Sequence, residues 1–264
     1  MAREIGNVMY DEEFILNSRG LKLFTCKWIP INQEPKALIF ICHGYAMECS
    51  ITMNSTAIRL AKAGYAVYGL DYEGHGKSAG LQGYVENMDY VINDCSNDMR
   101  PPEMVITLLS KLCRVIPTWK IIPTQDIVDI AFKVPEVRQK IRENPYCYKG
   151  KPRLKTGHEL LRISLDLEER LQEVSLPFIV LHGEEDKVTD KSVSEELLRV
   201  ASSSDKTLKL YPEMWHGLLY GETVENSNKV FEDIIVWLGN RAGHGDVGLE
   251  REQKHKHDGF SNST

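Results

Sequence analysis

The sequence has no long apolar run. Its first 14 residues, MAREIGNVMYDEEF, lack the apolar core of a signal peptide. No stretch approaches the ~18 consecutive apolar residues that a membrane-spanning helix needs. These absences predict a cytoplasmic protein whose membrane contact is at most peripheral.

Positive charge is also scarce. The chain has 32 Lys and Arg against 38 Asp and Glu, which gives a net charge of −6 at pH 7. Nucleic-acid binding needs clustered positive charge, so this balance argues against a nucleic-acid partner.

The motifs of metal and redox sites are missing as well. The six cysteines form no C-x-x-C pair, which indicates reduced thiols, and Cys42 in an apolar run is expected to pack as a small hydrophobic residue. His158 in GHELLR lacks the second histidine of an H-E-x-x-H zinc motif. His255 and His257 lie in a polar tail. We therefore expect no metal and no cofactor.

What is present is the composition of one globular domain. The chain has 264 residues, 42% hydrophobic and 27% charged, enough for one substantial core. After Arg241 the sequence has almost no apolar residues. We predict a domain over residues 1–241 and a disordered tail over 242–264.

Strands and helices alternate at the start of the chain. EFILNSRGLKLFTCKWIP predicts a hairpin around residues 17–20. ALIFICHG is typical of a strand buried on both faces, and a helix ending at Gly64 and the strand YAVYGLD follow it. A strand, a helix and a strand make a βαβ unit, so the fold class is α/β with a mostly parallel sheet.

The alternation stops after Asp71. From there to Leu176 no run resembles a buried strand, and short amphipathic segments broken by prolines predict a helical insertion. The alternation resumes with the strand LPFIVLHG, the helix DKSVSEELLRVAS, the strand KTLKLY and the helix NSNKVFEDIIVWLGNR.

Two chemically active side chains follow the last two predicted strands. Asp186 comes after the first and His216 after the second. Open α/β sheets place working residues at such strand ends. A carboxylate hydrogen-bonded to the histidine would hold it in the tautomer that a general base requires. Asp186 alone is more typical of a solvated loop carboxylate, so the hypothesis depends on its pairing with His216.

Four ordered motifs resemble one family. HGYAMECS, GYAVYGLDYEGHGKSAG, VLHGEEDKVTD and YPEMWHGLL are similar to the monoacylglycerol lipase branch of the α/β-hydrolases, including plant caffeoylshikimate esterases. The resemblance implies that the turn at His43, Gly44 and Tyr45 forms an oxyanion hole, with the Tyr45 backbone N–H as donor. It also implies that Asp186 and His216 are the catalytic acid and base. Residues 99–157 would form a helical cap over an acyl-binding pocket, and the substrate would be a small-molecule ester or a monoacylglycerol-like lipid.

The chain departs from this family in its centre. The family's catalytic serine lies in a G-x-S-x-G motif after a central strand, before the cap. Here Asp98 is followed directly by Met99, and no strand, serine turn, helix and following strand precede the cap. On the order of 50 residues, one strand-helix-strand unit, are absent.

Ser78 is the one serine that fits G-x-S-x-G, within GKSAG at residues 76–80. A nucleophilic serine needs an apolar strand immediately before it and a helix immediately after it. The strand before Ser78 ends at Leu70, and glycines occupy the positions where a helix should begin. A phosphate-binding loop would need a glycine where Asp71 stands. We expect Ser78 to be a turn residue.

The sequence thus predicts a carboxylic-ester hydrolase by lineage that lacks its nucleophile and is catalytically impaired. Two alternatives stay open: a non-catalytic variant that binds a lipid or a partner, and a splice or gene-model product without stable function. Loss of the central unit should also remove a partner from each of the strands ALIFIC and YAVYGL, which exposes apolar surface.

Overall fold

The computed structural model of the chain describes residues 2–95 and 126–242. The strands in these ranges are β1 (Arg3–Ile5), β2 (Val8–Leu16), β3 (Lys22–Pro30), β4 (Leu38–Ile41), β5 (Ala66–Leu70), β6 (Phe178–Gly183) and β7 (Lys206–Tyr211). The α-helices are α1 (Asn54–Lys62), α2 (Met88–Cys95), α3 (Val128–Ala131), α4 (Pro135–Glu143), α5 (Leu154–Arg170), α6 (Lys191–Val200) and α7 (Val224–Ala242). None of the described helices combines the length and apolar character needed to cross a bilayer.

The predicted hairpin is formed by β2 and β3, which pair antiparallel along their whole length. Its turn is closed by the Asn17 side chain, whose Oδ1 accepts the Leu21 N–H at 2.9 Å. Gly20 adopts a positive φ of 77°, which glycine reaches without steric cost.

The strands form two sheets. The first has the order β1-β2-β3-β5-β4, and the second pairs β6 with β7. The β4–β5 and β6–β7 pairs are parallel, as predicted, but the remaining pairs are antiparallel. The first sheet is therefore mixed, because the N-terminal strands add antiparallel pairs, whereas the two-stranded second sheet is parallel.

Strand β5 keeps both neighbours, since it lies between β3 and β4. The expectation that YAVYGL loses a partner is wrong. Strand β4 does lie at the edge of its sheet. Of the two strands expected to lose a partner, β4 alone has a free edge among the described strands.

The two faces of β4 differ sharply in exposure. Ile41 is 9% exposed and belongs to the main core, whereas Leu38 is 62% and Phe40 72% exposed. The prediction of a strand buried on both faces is wrong here, and Cys42, expected to be packed, is also exposed. One face packs against α1 and α7, while the other borders an open cavity of about 260 Å³.

The main core lies between the first sheet and the helices α1 and α7. Trp28, Val67 and Ala57 are fully buried there, and Phe231 of α7 packs beside them. Helix α1 ends before Gly64, whose φ of 100° fits the predicted helix terminus.

The described part of the predicted cap consists of α3, α4 and the first turn of α5. Helix α5 continues to Arg170, so the predicted boundary at residue 157 falls inside a helix. Residues 99–125 of the predicted cap and residues 243–264 of the predicted tail lie outside the described residues. Helix α7 ends at Ala242, one residue after the predicted domain end.

A charged side chain on the exposed face of β4 should reduce self-association of the chain. We expect the native protein to aggregate and to bind dyes that recognise apolar surface, because β4 offers an unpaired edge and exposed apolar side chains. Phe40→Glu should increase the monomeric fraction in light scattering, at a stability cost of about 1 kcal/mol from the lost Phe40–Tyr68 ring contact. Ile41→Glu is the matched control and should unfold the protein, because it buries a carboxylate in the core. Equal aggregation of Phe40→Glu and the native chain would contradict this prediction.

Candidate active site

Asp186 and His216 form a hydrogen-bonded pair. Asp186 lies in the loop after β6 and His216 in the loop after β7, as predicted, and His216 Nδ1 is 2.9 Å from Asp186 Oδ2. The Asp186 side chain is 5% exposed and that of His216 is 40% exposed. The acceptor on Asp186 places the proton on Nδ1, so Nε2 is left with a lone pair, which is the tautomer of a general base.

The Asp186 carboxylate is held by several donors. Burial raises its pKa, but hydrogen bonds from Thr189, from His216 and from the backbone N–H groups of Val188 and Thr189 outweigh burial and hold the pKa at about 2. The Thr189 hydroxyl donates at 2.7 Å and the Val188 N–H at 2.7 Å. Asp186 is therefore ionised over the whole physiological range and can stabilise a protonated His216.

Gly183 lets the two loops approach each other. A Cβ atom at this position would lie 2.4 Å from the Met214 carbonyl oxygen and 2.5 Å from that of Trp215. The Glu185 N–H also donates to the Met214 carbonyl at 3.0 Å. The glycine in VLHGEED thus has a steric reason, because any side chain would push Asp186 away from His216.

The turn at residues 43–45 follows β4. His43 is buried, accepts the Tyr72 N–H at Nε2 (3.1 Å) and donates from Nδ1 to the Gly44 carbonyl (2.9 Å). Burial lowers the pKa of His43 to about 4, so it is neutral and orders the loop. Tyr45 donates its hydroxyl to the Gly83 carbonyl. Within residues 2–95 and 126–242, no group accepts a hydrogen bond from the Tyr45 backbone N–H.

Three loops meet at one apolar cluster, which we name the cap cluster. Its buried members are Ala131, Phe132, Ile141 and Cys147 of the cap segment. Met47 from the loop after β4, Val188 from the Asp186 loop and Tyr220 from the His216 loop pack against it. The cap cluster therefore places the oxyanion-hole candidates Gly44 and Tyr45 on the same side of the molecule as the Asp186–His216 pair.

Backbone contacts reinforce this arrangement. The Gly217 N–H donates to the Ala131 carbonyl at 2.9 Å, and the Tyr148 N–H donates to the Ala46 carbonyl at 2.9 Å. A Cβ on Gly217 would lie 2.5 Å from the Phe132 ring. The cap segment is thus fixed to the loops on both sides of the site.

Sequence reasoning missed Glu48. It is fully buried, and its carboxylate accepts hydrogen bonds from Ser50, from the N–H groups of Ile51 and Thr52, and from the Asn144 amide. Burial raises its pKa, but these bonds outweigh burial and lower it. A carboxylate just before the polar start of α1 was the available signal, since such groups accept free backbone N–H groups. Glu48 ties the turn after β4 to the cap segment through Asn144.

Ser78 is engaged in the turn. Its hydroxyl donates to the Asp71 carbonyl at 2.5 Å and accepts the Phe24 N–H at 2.9 Å. Asp71 is fully buried and accepts the backbone N–H groups of Cys49 and Lys77. The hydroxyl therefore links the β5 end to β3 and has no histidine among these partners.

The cavity beside β4 is separate from the Asp186–His216 pair. It is lined by side chains of β2, β3, β4, β5 and α2, including Phe40, Cys42, Tyr68 and Cys95. Neither Asp186 nor His216 borders it. The described lining residues of this cavity therefore include neither member of the proposed acid–base pair.

The chain matches a known protein family over most of its length. The family model described as serine aminopeptidase S33 matches residues 33–100 and 95–223, which together make up more than half of the chain. This chain belongs to that hydrolase family. The two matched segments meet at residues 95–100, which include the Asp98–Met99 junction.

Two related enzymes align with most of this chain. The caffeoylshikimate esterase of Arabidopsis thaliana is 29% identical, with 88% of each chain covered. The human monoglyceride lipase is 26% identical over 88% of this chain and 91% of its own. The predicted likeness to monoacylglycerol lipases and caffeoylshikimate esterases is confirmed.

Solved structures confirm the α/β-hydrolase fold. A soluble variant of the Saccharomyces cerevisiae monoglyceride lipase superposes with a TM-score of 0.73 at 19% identity, covering 88% of this chain and 96% of its own. The Paleococcus ferrophilus monoacylglycerol lipase superposes with a TM-score of 0.66 at 19% identity, covering 84% and 99%.

Removing a donor from Asp186 should raise its pKa. We expect a carboxyl ¹³C NMR titration midpoint near pH 2 in the native chain, against about 3.9 in the denatured chain. Because the folded pKa lies below the unfolded one, the carboxylate stabilises the fold fully above pH ~4 and loses this effect as the pH falls towards 2. Thr189→Val should move the midpoint upward, since it removes a hydrogen bond to the charged form. Ser192→Ala removes a side-chain hydrogen bond to the neighbouring Asp190 instead. It should leave the Asp186 midpoint unchanged, and an equal shift in both variants would contradict the assignment.

A fluorophosphonate should not label Ser78. These reagents react with serines activated by a histidine and an oxyanion hole, whereas the Ser78 hydroxyl is held by Asp71 and Phe24 backbone groups. Ser78→Ala should lower the free energy of unfolding by about 1–3 kcal/mol, because two buried backbone groups lose their partner. Labelling at Ser78 that disappears in His216→Ala would overturn this interpretation.

Proposed function

We propose that this chain is a carboxylic-ester hydrolase of the monoacylglycerol lipase and caffeoylshikimate esterase type by lineage, catalytically impaired because its nucleophilic serine is missing. The observation that carries the proposal is the 2.9 Å hydrogen bond between His216 Nδ1 and Asp186 Oδ2. It supports the roles of acid and base for Asp186 and His216.

In a chain that keeps the catalytic serine, the serine attacks the ester carbonyl and transfers its proton to His216 Nε2. Asp186 stabilises the imidazolium that forms, and the backbone N–H of Tyr45 in the turn after Gly44 would donate to the developing oxyanion. Without the serine, His216 can still deprotonate water directly. The expected rate loss is several orders of magnitude, because the residues of a triad act as a unit.

Two observations support the loss of a central unit. The family match is divided at residues 95–100. The alignment with the Arabidopsis esterase runs over 292 positions, more than the 264 residues of this chain. The relative therefore has positions with no counterpart here, in agreement with the absent strand, serine turn, helix and strand.

By this lineage the substrate is a small-molecule ester or a monoacylglycerol-like lipid, handled by a domain over residues 1–241 with its cap at about 99–157. The proposal includes a location in the cytoplasm with at most peripheral membrane contact. The net charge of −6 argues against a nucleic-acid partner. No metal or cofactor enters the proposed reaction. The second candidate is a non-catalytic variant that binds a lipid or a partner, favoured by the cap cluster, which packs against all three loops.

Restoring the central unit should restore activity. We would insert the corresponding segment of a characterised relative between Asp98 and Met99 and measure fluorophosphonate labelling and hydrolysis of a short-chain monoacylglycerol and of an aromatic ester. Both signals should appear, because the proposed acid Asp186, base His216 and oxyanion donor Tyr45 are all retained in this chain. The present chain should be at least about 1,000-fold slower.

Three matched variants of the restored chain test the roles. Alanine in place of the inserted serine should abolish both signals, as should His216→Ala, and Asp186→Asn should reduce turnover by up to about 10⁴-fold. A restored chain that is folded, as shown by cooperative unfolding, but hydrolyses neither ester would contradict the proposal and favour the non-catalytic candidate. So would full activity of the present chain.

A further inference from the structure

Two cysteines outside the candidate active site lie together at the open cavity. Cys42 follows β4, Cys95 ends α2, and both side chains are exposed and border the same cavity. Tyr72, from the segment after β5, lines the same cavity beside the two thiols. The fold thus brings together two thiols that are 53 positions apart in the sequence.

The other described cysteines are different. Cys26, Cys49 and Cys147 are buried, and burial raises the pKa of each of them, that of Cys147 to about 12. The pKa of Cys42 is lowered to about 6, because hydrogen bonding from Cys95 to its thiolate outweighs the effect of burial. Cys42 is therefore the one described cysteine that is both accessible and ionised near neutral pH, the combination that makes a thiol reactive.

We propose that Cys42 and Cys95 form a thiol–disulfide site, which reacts with low-molecular-weight disulfides of the glutathione type and closes to a Cys42–Cys95 disulfide. The proposal does not rest on the proposed hydrolase function. It rests on two exposed thiols that line the same cavity.

The reaction proceeds in two exchanges. The Cys42 thiolate attacks one sulfur of the small disulfide, the S–S bond breaks, and one thiolate leaves with the electron pair. Cys95 then loses its proton to solvent, and its sulfur attacks the Cys42 sulfur of the mixed disulfide and expels the second small thiolate. Two protein thiols are oxidised, and one small disulfide is reduced to two thiols.

The bond would join two parts of the chain next to the candidate site. Cys42 directly precedes His43, whose ring accepts the Tyr72 N–H and contacts the Tyr72 ring at 4.0 Å. Oxidation would tether the end of α2 to the strand that carries the turn at Gly44 and Tyr45. The site therefore couples the redox state of the solution to the position of this turn.

Other charged groups at the cavity bear on any pH dependence. The titratable side chains that line it, besides the two thiols, are Asp11, Glu13, Cys26, Lys27, Tyr68, Tyr72 and Asp94. The acidic ones oppose ionisation of Cys42. The donors Cys95 and Tyr72 stabilise the thiolate directly.

The first test measures which thiol ionises. Iodoacetamide alkylation of the full chain, followed by mass spectrometry of fragment ions that separate Cys42 from Cys49, should give a Cys42 rate with a midpoint near pH 6. In the denatured chain the midpoint should be about 8.5. Cys95→Ala should raise the Cys42 midpoint by about one pH unit or more, because it removes the donor. Equal midpoints in the folded and denatured chains would overturn the assignment.

The second test captures the disulfide. The reduced full chain is incubated with oxidised glutathione, free thiols are blocked, and cross-linked peptides are mapped. We expect a link between the Cys42 and Cys95 peptides, and in Cys95→Ala an accumulated mixed disulfide at Cys42. Cys113→Ser is the control variant and should retain the link. A link that survives in Cys42→Ser, or a dominant link to Cys113, would overturn the proposal.

Discussion

The packing of three loops on the cap cluster is the contact on which the candidate site depends. Met47, Val188 and Tyr220 come from distant parts of the sequence, and each stands within four residues of a proposed site residue. Their shared contact with Phe132 and its neighbours removes apolar surface from water at the point where the loops converge. The placement of Tyr45 relative to the Asp186–His216 pair therefore depends on helices that themselves carry none of the proposed catalytic groups.

Much of this arrangement could be predicted from the sequence. Asp186 and His216 follow consecutive parallel strands, and the ends of such strands meet at one edge of a sheet, so their hydrogen bond was expected. The hairpin and the helix ending before Gly64 follow local turn chemistry. These features depend on the spacing of apolar residues and on residues adjacent in the chain, both of which can be read directly from the sequence.

The other features depend on contacts between distant residues, which the hydrophobic pattern of the sequence does not identify. An apolar run such as that of β4 shows that a strand can be buried, but burial of Phe40 needs a neighbour that the described part of the chain does not supply. Glu48 looks like a surface acid until Asn144, 96 positions away, is seen to donate to it. The same holds for Cys42, whose surroundings are set by the end of α2. Long-range pairing of this kind is decided by the assembled fold.

The close approach at Gly183 has a wider consequence. The contacts of this glycine with Met214 and Trp215, together with the parallel pairing of β6 and β7, all lie within residues 178–216. The proposed acid and base are thus carried by one contiguous βαβ unit, whose own backbone sets the distance between them. A protein designer could therefore transfer this unit to another parallel sheet, where it would supply a proton acceptor. The nucleophile could then be chosen separately.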